Sequence, residues 1–495
     1  MKGNKTIKVI PVIIAVVLLA LNANAQSFDF NPTCRRAYDN IIALRTYDGT
    51  QLLLLEKKDH PNNLIVVYLE NYIDFLNLYI NDTHQQYDAL KDNKNKRLAV
   101  LEGGDKTSPY YLYTQAEVNV QWAVMSIKFG EYMNAIFEIK KAFKLLEDNQ
   151  AKFPDFKANK KSLGLLYALL GSVPDKYKWG LNLLGLEGNL DKGISNLKEI
   201  TDDKSDFIFR HETITLYAFL MLHLQNKGEQ AWQLLKQNNF PARDNLMDVY
   251  TCAHIGVYSK HTDEAIEILN SRPNGPAYAA FPFLYYMTGL AKINRLDADA
   301  DYSFKQYLAS YKGDNYIKTA CQKIAWSYLL KGDSMNYLHF MSKAENMGAN
   351  MVDADKQALK EAQSYRVPNI ALLRARLLCD GGYYERAEKE MQAKAEHDFK
   401  NVEEATEFYY RKARIYDEWG KESDAINYYQ KAIDKGKTIP RYFAANSAFE
   451  MGKIYEDKGD KTKAKYYYNL CMSFQEHEYK NGLDQKAKAA LNRLQ

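Results

Sequence analysis

The stretch FYYRKARIYDEWGKESDAINYYQKAI (408–433) returns in altered spelling as SAFEMGKIYEDKGDKTKAKYYYNLCM (447–472). Laid one on the other, Ala413, Tyr416, Gly420, Ala425, Tyr429 and Ala432 fall opposite Gly452, Tyr455, Gly459, Ala464, Tyr468 and Cys471, each 39 residues further on. The order is what two packed antiparallel helices require. A small residue sits where the second helix crosses the first, because a large one would push the axes beyond about 8–10 Å. Glycine then ends the first helix in a left-handed cap. A small residue on the second helix does the reciprocal work, and the aromatics fill the gap to the next pair. One pair buries only one face, so neighbouring pairs must stack.

This order resembles the tetratricopeptide repeat pattern, and it can be followed upstream. Around Ala375, Leu378, Gly382, Ala387 and Met391 stand at matching offsets; around Ala325, Tyr328, Gly332, Tyr337, Met341 and Ala344 do so. Looser units follow at 289–307, 253–269, 218–235 and 123–142. The resulting expectation is an all-α fold, a tetratricopeptide-type helix-pair solenoid coiled as a right-handed superhelix, with strands nearly absent. Residues 201–495 read as the regular solenoid and 26–200 as a helical region with divergent repeats.

Residues 1–25 read as an address rather than as structure. Lys2, Lys5 and Lys8 precede an apolar run from Val9 to Leu21, and Ala23-Asn24-Ala25 supplies the small residues of a signal-peptidase site. The expected cleavage follows Ala25, giving an exported, periplasmic chain, with association to the outer membrane as an extension of that reading. Gln26 stands where a lipoprotein needs cysteine. The chain holds 66 Lys and Arg against 62 Asp and Glu, and three of those lysines leave with the signal. Near-neutrality gives no pull toward nucleic acid. Five widely spaced cysteines show no metal-ligand spacing and read as buried free thiols.

Two stretches break the period. Residues 84–116, with KDNKNK and GGDKTS, read as a long exposed connection holding one short helix. Residues 153–200 hold an apolar, glycine-flanked helix from Leu163 to Leu170, then Pro174, then Tyr177 and Trp179 among leucines including Leu181. Here Lys157-Ala158-Asn159, Leu163-Gly164, Val173-Pro174, Leu184-Gly185-Leu186, Gly188-Asn189, Gly193-Ile194 and Leu197 resemble the signature of the tetratricopeptide repeat protein 39 family and its fungal relative in inclusion-body clearance. The resemblance implies a helical-repeat adaptor with no catalytic residues. That family is intracellular, whereas this chain reads as exported, and its Tyr, Lys and Asn richness resembles that of Bacteroidota-type envelope proteins. Tyr177, Trp179 and Leu181 are candidates for a peripheral membrane or partner contact.

Motifs for chemistry are missing from the sequence. There is no phosphate loop, nucleophile elbow or EF-hand, and His211-Glu212 lacks the second histidine of a zinc helix because Thr215 stands in its place. His254 and His261 are the nearest histidine pair. The expectation is a non-enzyme with no cofactor and no metal. Binding falls to the helix-A face of the last three repeats, where Asn369, Leu372, Arg376, Glu407, Tyr410, Arg414, Asn446, Phe449 and Lys453 occupy groove positions. A row of three cations beside aromatics suits an extended acidic segment of a protein partner. The alternative for those cations is neutralisation within their own helices, through Arg376–Asp380, Arg414–Asp417 and Lys453–Glu456. A second functional reading takes the tyrosine doublets 285–286, 383–384, 409–410, 428–429 and 466–468 as platforms for sugar rings.

Overall fold

The computed structural model describes residues 26–173, 181 and 185–494. The signal segment, Tyr177 and Trp179 lie outside the described residues. Among those described, the chain is helical, and its one extended pairing is an isolated bridge between Ser27 and Asn63. Helix starts are written in short polar side chains. Asn31, Asn189, Asn245, Asp333, Asn401 and Asp460 each accept a backbone N–H from the first turn that follows, which satisfies a donor the helix leaves open. At the turns read from the repeat, Gly420 and Gly459 take φ of +77° and +76°, the left-handed region that a Cβ would oppose.

The chain divides into two compact units. One gathers the chain up to Ser259 with Glu267–Leu284 and Ser310–Asp314; the other gathers Lys260–Ile266, Tyr285–Ala309 and the chain from Asn315.

In the second unit, Ile317–Leu330 pairs with Ser334–Asn346, Ile370–Asp380 with Tyr384–Gln392, Val402–Glu418 with Glu422–Gly436, and Phe443–Asp457 with Lys461–Ser473. Lys480–Arg493 packs on the last of these. The small-residue rule is visible in distances: a methyl on Gly452 would lie 2.5 Å from the Tyr468 ring, and one on Gly289 2.8 Å from Phe304. Ala413, Ala425, Tyr429, Ala432, Ala464, Tyr468 and Cys471 are buried in one core. Polar contacts repeat as well. Tyr429 donates to Asp417 at 2.8 Å and Tyr468 to Glu456 at 2.5 Å, while Tyr416 stacks on Tyr428 and Tyr455 on Tyr467.

The first unit packs Tyr110–Lys128 on Tyr132–Lys152, Lys157–Gly171 on Leu190–Asp202, and Arg210–His223 on Gly228–Gln237. The middle crossing is made of glycine. A methyl on Gly193 would stand 2.5 Å from the backbone of Ala168 and Gly164, and one on Gly188 2.1 Å from Gly171 N. The glycines that carry the family resemblance therefore let two backbones touch, and no larger residue fits there.

Below this crossing lies a buried ion cluster. Lys161, 2% exposed, donates to Glu117 at 2.8 Å and Glu212 at 3.1 Å. Ser162 caps the other Glu117 oxygen, and Tyr38 and Tyr72 both donate to Glu212. Burial opposes the Lys161 charge, but the two carboxylates outweigh it and hold its pKa well above the ordinary value.

The connection at 84–116 differs from its expected form. It contains two helices, His84–Leu90 and Asn93–Leu101, before Tyr110–Lys128 begins. Tyr87, Leu98 and Leu101 plug a hydrophobic cluster, while Arg97 and Lys94 on the outer side pair with Asp74 and Glu138. The polar run hid the helix because its apolar contacts are few and spaced three apart.

Candidate functional site

The site residues named from sequence lie on the first helices of the second unit's pairs, and the structure sorts them by burial. Leu372 and Tyr410, 2% and 4% exposed, are core residues that offer no surface. Both lie on helix-A positions turned inward, because the face read as groove also packs on the next repeat. Asn369 caps Ile370–Asp380, accepting from Ala371 and Leu372 N–H, and donates to Glu404. Asn446 donates to the Tyr410 hydroxyl at 3.0 Å, Glu407 accepts twice from Arg411, and Phe449 lies 5.7 Å from Tyr468 against the core. Of the proposed membrane residues only Leu181 is described; its carbonyl accepts from Leu186 N.

Each of the three cations is paired with an acid of its own helix, Arg376 with Asp380 as expected, Arg414 with Glu418 and Lys453 with Glu450 in place of the expected acids, and one of them also reaches across repeats. Arg414 bonds Glu418 on its own helix at 2.5 Å and reaches back to Asp380 of the preceding repeat at 3.0 Å. Lys260 is ion-paired with Glu418 at 2.9 Å and donates to the carbonyls of Cys379 and Asp380 at 3.2 Å each, which ties off the end of that helix. Arg376 lies 3.7 Å from the second Asp380 oxygen. The result is an alternating row, Lys260, Glu418, Arg414, Asp380, Arg376. Burial works against the Asp380 charge, yet Arg414, Arg376 and Lys260 outweigh it and bring its pKa down to about 2. Lys453 pairs with Glu450 at 2.6 Å, since Glu456 is engaged by Tyr468 and Arg493. Asp417, expected to face Arg414, instead accepts from Tyr429, and burial pushes its carboxyl up to about 6.

Beyond Arg376 the alternation stops. The next cation is Lys323 on Ile317–Leu330. Its ammonium stands 3.6 Å from the centre of the Trp326 ring, and the Arg376 guanidinium stands 5.0 Å from the same ring. Lys323 donates to Gln322 Oε1 at 3.1 Å and has no ion-pair partner among the described residues. Both oxygens of the nearest acid, Glu361, are occupied by Gln322 and Trp326 N–H. Burial, reinforced by the charge of Arg376, drives the Lys323 pKa down to about 7. Sequence reading missed this lysine because it lies two residues before the small Ala325, off the positions counted as groove; the Lys323-to-Trp326 spacing of one helical turn was the available signal.

The other chemistry is sparse. His254 meets His223, not His261, with Nε2 atoms 2.9 Å apart, and burial brings His254 down to about 3. No group of three His, Cys, Asp or Glu residues able to hold a metal occurs among the described residues. The five cysteines are buried free thiols. In four of the five tyrosine runs one member is core, Tyr286, Tyr410, Tyr429 and Tyr468, and Tyr428 and Tyr467 are drawn into stacks, while Tyr383 and Tyr384 are both half-buried. Tyr466, 60% exposed, is the outward-facing exception in its run. No helix among the described residues is long and apolar enough to cross a membrane.

A family model described as tetratricopeptide repeat matches residues 406–434 and 445–477, so these two stretches are tetratricopeptide repeats. No curated protein matches the chain. Among solved structures, it is similar to human IFIT1, a dimer with m7Gppp-AAAA, at 12% identity and TM-score 0.30 over 95% of this chain and 98% of that one. It is similar to the TPR domain of P58(IPK) at 15% identity and TM-score 0.21, over 85% and 97%. It is similar to a Rap protein complexed with competence and sporulation factor at 11% identity and TM-score 0.26, over 92% and 98%.

Proposed function

We propose that this chain is a non-catalytic scaffold that holds an extended acidic segment of a partner protein on the helix-A face of its second unit. The observation that carries the reading is the charged row ending at Arg376 and Lys323. Row members are placed by neighbouring repeats, as when Arg414 of one repeat grips Asp380 of the one before, so the face is preorganised and pays little ordering entropy on binding. Arg376 in the row and Lys453 outside it, with side chains 38% and 46% exposed, are the cations open to a ligand. The site of action proposed is the periplasm, following the N-terminal Lys2-to-Ala25 segment, with any membrane contact peripheral.

Charge reversal at Arg376 and Lys453 tests the reading, with Arg414 left intact because its pairs are structural. Binding of a glutamate-rich peptide to the chain from Gln26 onward, followed by fluorescence anisotropy, should weaken by about tenfold or more and fall with added salt. Unchanged affinity in a variant with wild-type circular dichroism would discard the acidic-segment reading. Cell fractionation tests the compartment: recovery of the chain in the cytoplasm with residues 1–25 attached would overturn it.

A further inference from the structure

The charged row pairs every cation with an acid until its last step, where two cations meet over one aromatic ring. Lys323 and Arg376 approach the Trp326 indole at 3.6 and 5.0 Å. The indole offers each a cation–π contact, but a ring quadrupole does not cancel two full charges. Arg376 shares its one nearby acid, Asp380, with Arg414, at the longer distance of 3.7 Å against 3.0 Å. Lys323 has only a neutral amide oxygen, that of Gln322. Glu361, which would serve it, is turned to the amide of Gln322 and the indole N–H, 2.7 Å from each. Like charges placed together without an acid cost stability. Glu361 and Asp380 act on Lys323 without forming an ion pair with it and offset only part of that cost.

We infer that Lys323, Arg376 and the Trp326 ring form the seat for one carboxylate of the bound segment. This rests on the acidic-segment reading and makes it specific. The Arg376 guanidinium supplies a fork for the carboxylate, and the Lys323 ammonium supplies a point charge at the opposite side. The ring beneath them is a dry floor that strengthens both bonds by excluding water. Gln322 and Glu361 fix the floor and the Lys323 stem, so they position the seat without touching its occupant. Occupancy would return Lys323 to its ammonium form, because an adjacent carboxylate favours the charged state. The carboxylate is either an Asp or Glu side chain or a chain terminus; the chemistry of the seat is the same for both.

The probe is a tetraglutamate peptide, with free and with amidated C-terminus, titrated into the chain from Gln26 onward. Lys323→Gln and Arg376→Gln should each weaken binding by roughly tenfold or more, whereas Lys453→Gln should weaken it by only about twofold. A second measurement needs no variant. At pH 7.5 Lys323 should be acylated by an amine-directed reagent faster than the other lysines, read by peptide mass spectrometry, and saturating peptide should suppress that labelling. Equal affinity for the two peptide forms assigns the seat to a side-chain carboxylate, and loss on amidation assigns it to a terminus. A Lys323→Gln effect no larger than that of Lys453→Gln, or Lys323 labelling untouched by bound peptide, overturns the seat. If peptide binds and charge reversal at Arg376 and Lys453 abolishes it while Lys323→Gln does nothing, the seat fails and the groove stands. If wild-type protein shows no affinity for either peptide, both fail.

Discussion

Two lysines, one in each unit, sit against aromatic rings and differ in everything else. Lys161 lies beside Tyr113 and Phe209 with two carboxylates and is sealed from water. Lys323 lies on Trp326 with another cation and no ion-paired carboxylate among the described residues, in a partly open position. The first has its pKa raised and the second lowered to about 7. A buried charge with every bond made contributes to one native structure and offers nothing to a ligand. A half-buried charge without its counterion is what a binding surface looks like before its ligand arrives. Under the proposed function, the contrast separates architecture from binding in a chain whose helices otherwise look alike.

The contrast breaks most visibly at Lys161. Lys161→Met should cost about 3–5 kcal/mol of unfolding free energy, because Glu117 and Glu212 are left buried without a cation; a loss below about 1 kcal/mol in a urea titration would show that the cluster is solvated. Glu212→Gln should cost less, about 1–3 kcal/mol, since Glu117 still holds Lys161 while Tyr38 and Tyr72 lose a charged acceptor.

Lys323→Met should raise stability at pH 7, because it removes a desolvated charge held beside Arg376, and should change its pH dependence. A lysine whose folded pKa is depressed binds fewer protons folded than unfolded, so wild-type stability should climb, relative to Lys323→Met, from about pH 7 toward the ordinary lysine value of 10.5. Parallel profiles for the two proteins would contradict this. Smallest is Asp417→Asn. Burial lifts the Asp417 carboxyl from 3.8 to about 6, so the folded protein takes up a proton first and gains stability as pH falls from about 6 toward 4. The asparagine variant should lack that gain while unfolding normally at pH 7.

The repeat was legible where one residue type has one packing solution. Gly452 and Gly420 could be read as crossing and turn because nothing else fits either place. The proposed seat was only half legible. Arg376 was found by counting along a helix, but Tyr410 and Leu372, counted the same way, are core, because repeat numbering gives a direction and not a depth. Lys161 and its two acids come from three separate helices, and Lys323 is defined by the turning away of Glu361, 38 residues later in the chain. Such relations belong to tertiary structure and leave no local pattern. The polar stretch 84–116 failed for the opposite reason: composition was read where two leucines decided.

The 39-residue offset that Tyr416, Tyr428 and Tyr429 share with Tyr455, Tyr467 and Tyr468 makes length a quantised property of this chain. Excision of residues 437–475 would remove one helix pair whole and bring Lys480–Arg493 onto Glu422–Gly436, where Phe443–Asp457 now lies. Leu483 and Ala487 would fall where Ala444 and Ala448 had been. At this pair, a cut one residue longer or shorter would put the later side chains out of phase. The molecule can be shortened only in whole steps, as a ladder is shortened by its rungs.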